Sequence, residues 1–355
     1  MIWYYCIYIL ALAGVPTLFI NRVRPRRLIS LAYLLMLAIV LALFAGLRSN
    51  EVDRDYANYV QWFDGLTSSG GMSIGWTKAP AFVLISTMVS SAGWGFVMVA
   101  IIFAGIALAM KIYFADTVMQ GRWMTLFFYL IVCHTFLVDE MTEIRAAVAI
   151  PLMSLAIIMA QRGYKWKATC LLLAAVAFHL SALIGVPVFV ALLLGVRFES
   201  RGWILSLIPA AAGVAILLNS LLLLLAAFGR LNPYLNGDVD TGPIHFLSIF
   251  LWAKVGIMSV ILTWFWSRIS AEERVTAFCA AIGLAILLVL HANDNIALRA
   301  SGVFGLFDLM LFIIPLKYMK GSLIRLAYVG MIVIVGLAFF YSSLQVVAPY
   351  RWVVS

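Results

Sequence analysis

Charge is what this 355-residue sequence has least of. Asp, Glu, Lys and Arg make up 11% of it, against 65% apolar residues and a mean hydropathy of +1.08. Soluble domains carry about a quarter charged residues, so an ordinary water-soluble fold is excluded. Cysteine is scarce too: Cys6, Cys133, Cys170 and Cys279 stand singly in apolar runs, with no CxxC and no Cys/His cluster. They read as small buried hydrophobes, and neither a disulfide framework nor a zinc site is expected. No Walker loop, GxGxxG after a strand, HExxH or GxSxG is present, so ATP hydrolysis, dinucleotide chemistry and zinc proteolysis lose their usual signatures. No repeat, low-complexity tract or linker divides the chain. The first apolar segment, Met1–Ile20, lacks a basic n-region and a small-residue cleavage site, and reads as a retained first span.

Long apolar runs are what the sequence has in abundance. They predict an all-α, polytopic integral membrane protein with about 11–13 transmembrane helices, folded as a single membrane domain over 1–355. Two runs depart from a plain span. Segment 79–91 is short and framed by Ser/Gly clusters, and reads as re-entrant or interfacial. Segment 168–196 is long, with His179 at its midpoint, and reads as a hairpin. An extracytoplasmic amphipathic or re-entrant segment is expected at about 48–91 and an outer loop at about 229–246.

Charge distribution sets the orientation. The net charge of +9 suits cytoplasmic loops facing anionic lipid better than nucleic acid, and no nucleic-acid partner is expected. With 21–27, 111–122, 161–167, 197–202, 267–274 and 317–325 inside, sixteen of the 24 Lys and Arg residues face the cytoplasm and ten of the fifteen acids face outward. Residues 48–78 and both termini then lie outside, where any chemistry is expected.

Polar groups concentrate on that outer side. Arg48 leaves the second span, followed by Asp55, Tyr56, Tyr59, Trp62 and Phe63 at near-helical spacing. This is either an interfacial aromatic belt or a saccharide platform of ring faces and carboxylates. Glu143 and Arg145 open an apolar helix, where a fixed guanidinium beside backbone N–H donors suits an anionic phosphate, unless the arginine merely snorkels. His179 and Ser181 interrupt the long run 168–196. The histidine is either a packing residue or a general base. Arg299 follows Asn293-Asp-Asn, and the outer C-terminal edge carries Pro349-Tyr-Arg-Trp352 as an anchor or lid. Arg48, Arg145 and Arg299, each at a span end on one side, favour an outward-facing anion site.

Gly46-Leu-Arg48 with Asp55-Tyr56 and Tyr59, then Ile144-Arg-Ala-Ala147, His179-Leu-Ser181, Arg299 and Pro349-Tyr350, in that order from about 44 to 350, resemble the EpsG/Wzy-type polysaccharide polymerases. The sequence departs from the family with Val52-Asp-Arg-Asp55 in place of a Gly-Thr-Asp-like turn, and with Ala146 where a Gln often follows the arginine. The resemblance implies a GT-C-like membrane glycosyltransferase architecture in the inner membrane, with its active site facing the periplasm. It also implies metal-independent, inverting transfer of a glycan from polyprenyl diphosphate to a lipid-linked repeat. In that reading Arg48, Arg145 and Arg299 bind the diphosphate, and His179, then Asp55 and Glu143, are candidates for the base. Tyr56, Tyr59, Trp62, Ser181 and Tyr350 contact saccharide. No cofactor is expected. The implied partners are donor and acceptor lipid-linked oligosaccharides, membrane lipids, a chain-length regulator and a flippase. A lipid-linked glycan ligase, a membrane sugar acyltransferase and a secondary transporter or flippase are the alternatives.

Overall fold

The computed structural model describes residues 1–19, 23–53, 55–67, 79–119, 121–227, 249–291, 294–345 and 347–353. The outer loop expected at 229–246, the 68–78 part of the segment 48–91, and Arg54 lie outside the described residues. The described helices of eight or more residues are, in chain order, α1 (Ile2–Ala13), α2 (Val23–Gly46), α3 (Tyr56–Thr67), α4 (Pro80–Ser91), α5 (Phe96–Met119), α6 (Met124–His134), α7 (Ile144–Gln161), α8 (Lys165–Phe178) and α9 (Val186–Leu193). They continue as α10 (Arg201–Ala227), α11 (Ile249–Val260), α12 (Ala271–Val289), α13 (Asp294–Gly302), α14 (Gly305–Tyr318) and α15 (Ser322–Ser343). Among the described residues the only β-type pairing is one isolated bridge, Arg48 with Trp352. Among the described residues, four helices are long and apolar enough to cross a bilayer alone: Arg26–Gly46 of α2, α5, α7 and α15. The α13–α14 pair, bent by 58°, forms either a broken span or a re-entrant loop, and six shorter apolar helices are found among the described residues. The protein is a polytopic all-α membrane protein.

The chain divides into two compact units, residues 1–189 with 319–355 and residues 190–318. In the first, α7 is the central helix, buried on nearly every face, whereas α2 and α15 expose apolar side chains such as Leu35, Ile39, Ile334 and Leu337. Helix α7 is also small and apolar (Ala146, Ala147, Ala149, Ala156, Ala160), which lets neighbours approach closely. The short connections hold the helix ends in place. Gly163, at φ +83°, makes the tight reversal from α7 into α8. Gly121, at φ +78°, lets the α5–α6 turn lie directly on Arg27, since a Cβ there would come within 2.6 Å of the arginine's own Cβ. The long segment 168–196 breaks at His179, whose extended backbone separates α8 from a 3-10 turn, Leu180–Gly185.

Polar contacts sort the first unit into two ends. At one, Arg27 meets Asp116, Arg162 meets the Thr117 carbonyl, and Lys167 meets Tyr113. At the other, α3 packs its Tyr56 and Tyr59 on Phe96, and the C-terminal edge pairs with the exit of α2 through Ser49 N–H to Arg351 O (2.8 Å) and Val353 N–H to Leu47 O (2.8 Å). Residues 161–167 and the neighbourhood of Arg48 thus occupy opposite ends.

Lys111 corrects the charge count. It was expected in the inner loop 111–122, but it lies within α5 and is fully buried. Nζ donates to Asp139 Oδ2 (2.9 Å) and Thr135 Oγ1 (3.2 Å) and contacts Glu140 Oε1 at 2.6 Å. Local neutralisation by two carboxylates is what permits an ammonium in the apolar interior.

The second unit has its own buried ion pair, Lys254 of α11 with Asp308 of α14. Helix α12 starts at a capping box in which Ser270 Oγ accepts from Glu273 N–H and Glu273 Oε2 accepts from Ser270 N–H. A π-turn, Ile261–Phe265, follows α11, and Arg201 Nη1 donates to its Leu262 carbonyl (3.2 Å).

Candidate functional site

The site is built where α3 meets the start of α7. Asp53 shapes the approach: Oδ1 accepts from the N–H groups of Asp55 (3.0 Å) and Tyr56 (2.9 Å), so it caps the first turn of α3. Its other oxygen, Oδ2, accepts from Arg48 Nε at 2.5 Å. Arg48 is fully buried, and its remaining nitrogens donate to the carbonyls of Ala45 and Met141. The C-terminal edge closes over it, with Tyr350 stacked on Phe44 (3.9 Å) and donating to the Phe44 carbonyl at 2.7 Å. Arg48 and Tyr350, candidates for diphosphate and saccharide contact, are therefore enclosed in the packing.

The apolar stripe of α3 packs as its spacing predicts. Tyr56, Tyr59 and Phe63 are buried against Phe96 of α5, while Trp62 is half-buried and stacked on Phe82 of α4 at 4.6 Å. Arg145 enters beside them. It is the second residue of α7, and its guanidinium lies 4.7 Å from the Trp62 ring centroid and 5.5 Å from that of Tyr59. Its Nε is buried without a hydrogen-bond partner, and no side chain caps the helix. Burial pushes the Tyr59 hydroxyl above its ordinary pKa, Arg145 opposes that rise, and Asp55 and Glu143 add to it. Asp55, Tyr59, Trp62, Glu143 and Arg145 thus converge from two segments almost ninety residues apart.

His179 and Arg299 have their own local partners and surroundings. His179 Nδ1 accepts from the Ser181 backbone N–H (3.1 Å) and lies 2.7 Å from Ser181 Oγ, so the imidazole caps the 3-10 turn that follows it. In the neutral ring this arrangement puts the proton on Nε2. Its neighbour Phe178 is linked to Trp62 by the ring series Phe103 and Phe82. Arg299 belongs to the second unit. It is exposed in the last turn of α13, the first leg of the bent α13–α14 pair.

Sequence reasoning missed the partners beneath the site. Lys111, Asp139 and Glu140 fix the connection that leads into Glu143 and Arg145, and Arg48 holds the same connection through Met141. Burial drives the Glu140 carboxyl up to about 7, because two carboxylates share one ammonium out of water. A lysine inside an apolar run, facing an Asp-Glu pair one helix later, was the available signal. Among the described residues no three His, Cys, Asp or Glu side chains are grouped as a metal site requires.

No curated protein and no solved structure matches the chain. The model of the EpsG family matches residues 31–352, which take in α3, the head of α7, His179 and the C-terminal edge. That match covers nearly the whole sequence, and the chain belongs to the EpsG family of Wzy-type polysaccharide polymerases.

Proposed function

We propose that the protein joins lipid-linked oligosaccharide repeat units by direct glycosyl transfer at the α3–α7 site, on the periplasmic face of the inner membrane. The acceptor hydroxyl oxygen attacks the anomeric carbon of the donor sugar and the bond from that carbon to the diphosphate breaks. The hydroxyl proton passes to a carboxylate, and polyprenyl diphosphate leaves into the bilayer, with inversion at the carbon. One observation carries this reading: Arg145, with an unpartnered Nε at an uncapped helix N-terminus, is held against Trp62 and Tyr59 next to two carboxylates. A guanidinium fork and first-turn N–H groups match diphosphate oxygens, and the diphosphate gains charge as the bond breaks. The half-buried Trp62 offers an edge for a sugar ring. Asp55 serves as the base: in-line displacement needs the base across the reacting carbon from the leaving group, and of the two carboxylates Glu143 stands only two residues from Arg145, the proposed ligand of that group.

The transfer is proposed to need no metal, the arginine and helix terminus holding the leaving group electrostatically. A chain-length regulator and a flippase that delivers the repeat units are the proposed protein partners. The test is to give purified protein its lipid-linked repeat and resolve the products by length. A ladder of oligomers that survives chelation is expected. A single transferred unit would identify a ligase, an acylated sugar an acyltransferase, and unchanged substrate moved across vesicles a transporter.

A further inference from the structure

The end of the first unit opposite the candidate site carries a cavity of about 430 Å³ that contains none of the residues of the α3–α7 site. It is lined by Arg27, Tyr113, Asp116, Arg162, Tyr164 and Lys167. These come from the ends of three spans and the start of a fourth helix: α2 begins beside it, α5 and α7 end beside it, and α8 leaves from it. The cations are already oriented. Arg27 holds Asp116 in a two-pronged contact (Nε to Oδ1 2.9 Å, Nη2 to Oδ2 2.7 Å). Arg162 Nη2 donates to the Thr117 carbonyl at 2.9 Å, and Lys167 Nζ donates to the Tyr113 hydroxyl at 2.8 Å. Three cations against one carboxylate leave the lining at +2. The tight turns at Gly121 and Gly163 fix it, the first by lying on Arg27 and the second by bringing Arg162 and Lys167 to one wall.

Two observations set the depth. Trp166 is 80% exposed and Tyr164 61% exposed beside the cavity, and such aromatic residues settle at the headgroup level of a bilayer. The long spans also terminate here, so the cavity opens where lipid phosphates lie. A basic concavity at that depth is built to take a phosphate through guanidinium and ammonium donors.

The geometry points to a site for the phosphodiester headgroup of an anionic lipid in the leaflet at the basic end, bound by Arg27, Arg162 and Lys167. The test uses the full-length protein in nanodiscs of phosphatidylcholine with increasing phosphatidylglycerol, with retained lipid counted by native mass spectrometry. Wild type is expected to retain phosphatidylglycerol in preference to phosphatidylcholine. The double substitution Arg162→Gln with Lys167→Gln should weaken that retention about thirtyfold, the loss of two charge contacts at roughly 1 kcal/mol per cation near the surface. Arg197→Gln, at an exposed basic position of the second unit, should leave it unchanged. Equal retention by the double variant would overturn the site, as would loss with Arg197→Gln. Displacement by inorganic phosphate as effective as by added phosphatidylglycerol would show a soluble-anion site and overturn the lipid assignment. Should the double variant fold poorly, Lys167→Gln alone, which leaves both arginine contacts, must show the same direction of change.

Discussion

Arg48 donates to the backbone carbonyl of Met141, 93 residues further along the chain, while its Nε is paired with Asp53. One buried guanidinium therefore joins the exit of α2, the cap of α3 and the connection into α7. Arg48→Met should leave Asp53 buried and uncompensated and free two carbonyls, a loss of about 3–5 kcal/mol. Arg48→Lys keeps the charge but cannot reach three acceptors. Both variants should lower the melting temperature of the purified protein, with activity falling alongside. A stable Arg48→Met protein that fails only in donor binding would return Arg48 to the diphosphate.

Lys111 is the second fastening of that connection. Lys111→Met leaves Asp139 and Glu140 without their ammonium and should cost about 3–5 kcal/mol. Adding Asp139→Asn and Glu140→Gln removes the stranded charges and should restore most of the lost melting temperature. Failure of that rescue would mean that Lys111 matters through packing along its stem.

Sequence reasoning reached the local features. Residues three and four apart on α3 do share one buried face, and Glu143 with Arg145 does stand at a helix head, because both follow from helical periodicity. Contacts made across the fold were out of reach. Arg48 looks like an exposed span-end cation until the C-terminal edge, some 300 residues later, closes over it. Asp53 and Asp55 look interchangeable until Arg48 and the two capped N–H groups claim Asp53. Lys111 stands at the edge of an apolar run and looks like an inner-loop charge unless it is set against the Asp139-Glu140 pair 28 residues later.

Glu140 makes stability depend on pH. Its carboxyl is held up to about 7 in the folded protein, first by burial, with Lys111 opposing and Asp139 adding, against about 4.3 in an unfolded chain. The folded state keeps a proton that the unfolded state loses, so the stabilisation is complete below about 4.3 and is lost as pH rises to about 7. Thermal melts of wild type and Glu140→Gln should diverge as pH rises through that window, with the variant the flatter of the two. Parallel curves would mean that Glu140 ionises normally.

Arg145 is the proposed ligand of the leaving group, and its contribution should appear in turnover. Arg145→Lys keeps a charge over Trp62 and Tyr59 but loses the two-pronged fork, so activity should fall about 10²-fold or more. The melting temperature should hardly change, in contrast to Arg48→Lys. Near-normal polymer from Arg145→Lys would reduce the residue to an interfacial anchor.

The base separates three residues by one comparison. Asp55→Asn keeps size and hydrogen bonding but cannot take the acceptor proton, so turnover should fall about 10²–10⁴-fold with donor binding retained. Glu143→Gln should fall less, since Glu143 stands two residues from Arg145 on the leaving-group side. His179→Gln offers an amide oxygen to the Ser181 N–H that Nδ1 now accepts, so the 3-10 turn keeps its cap and turnover should stay within a few-fold of wild type. Product length distributions from the three variants, at matched amounts of folded protein, give the answer. A collapse of turnover in His179→Gln together with a nearly active Asp55→Asn would move the base to the histidine and leave Asp55 as a neighbour that tunes Tyr59.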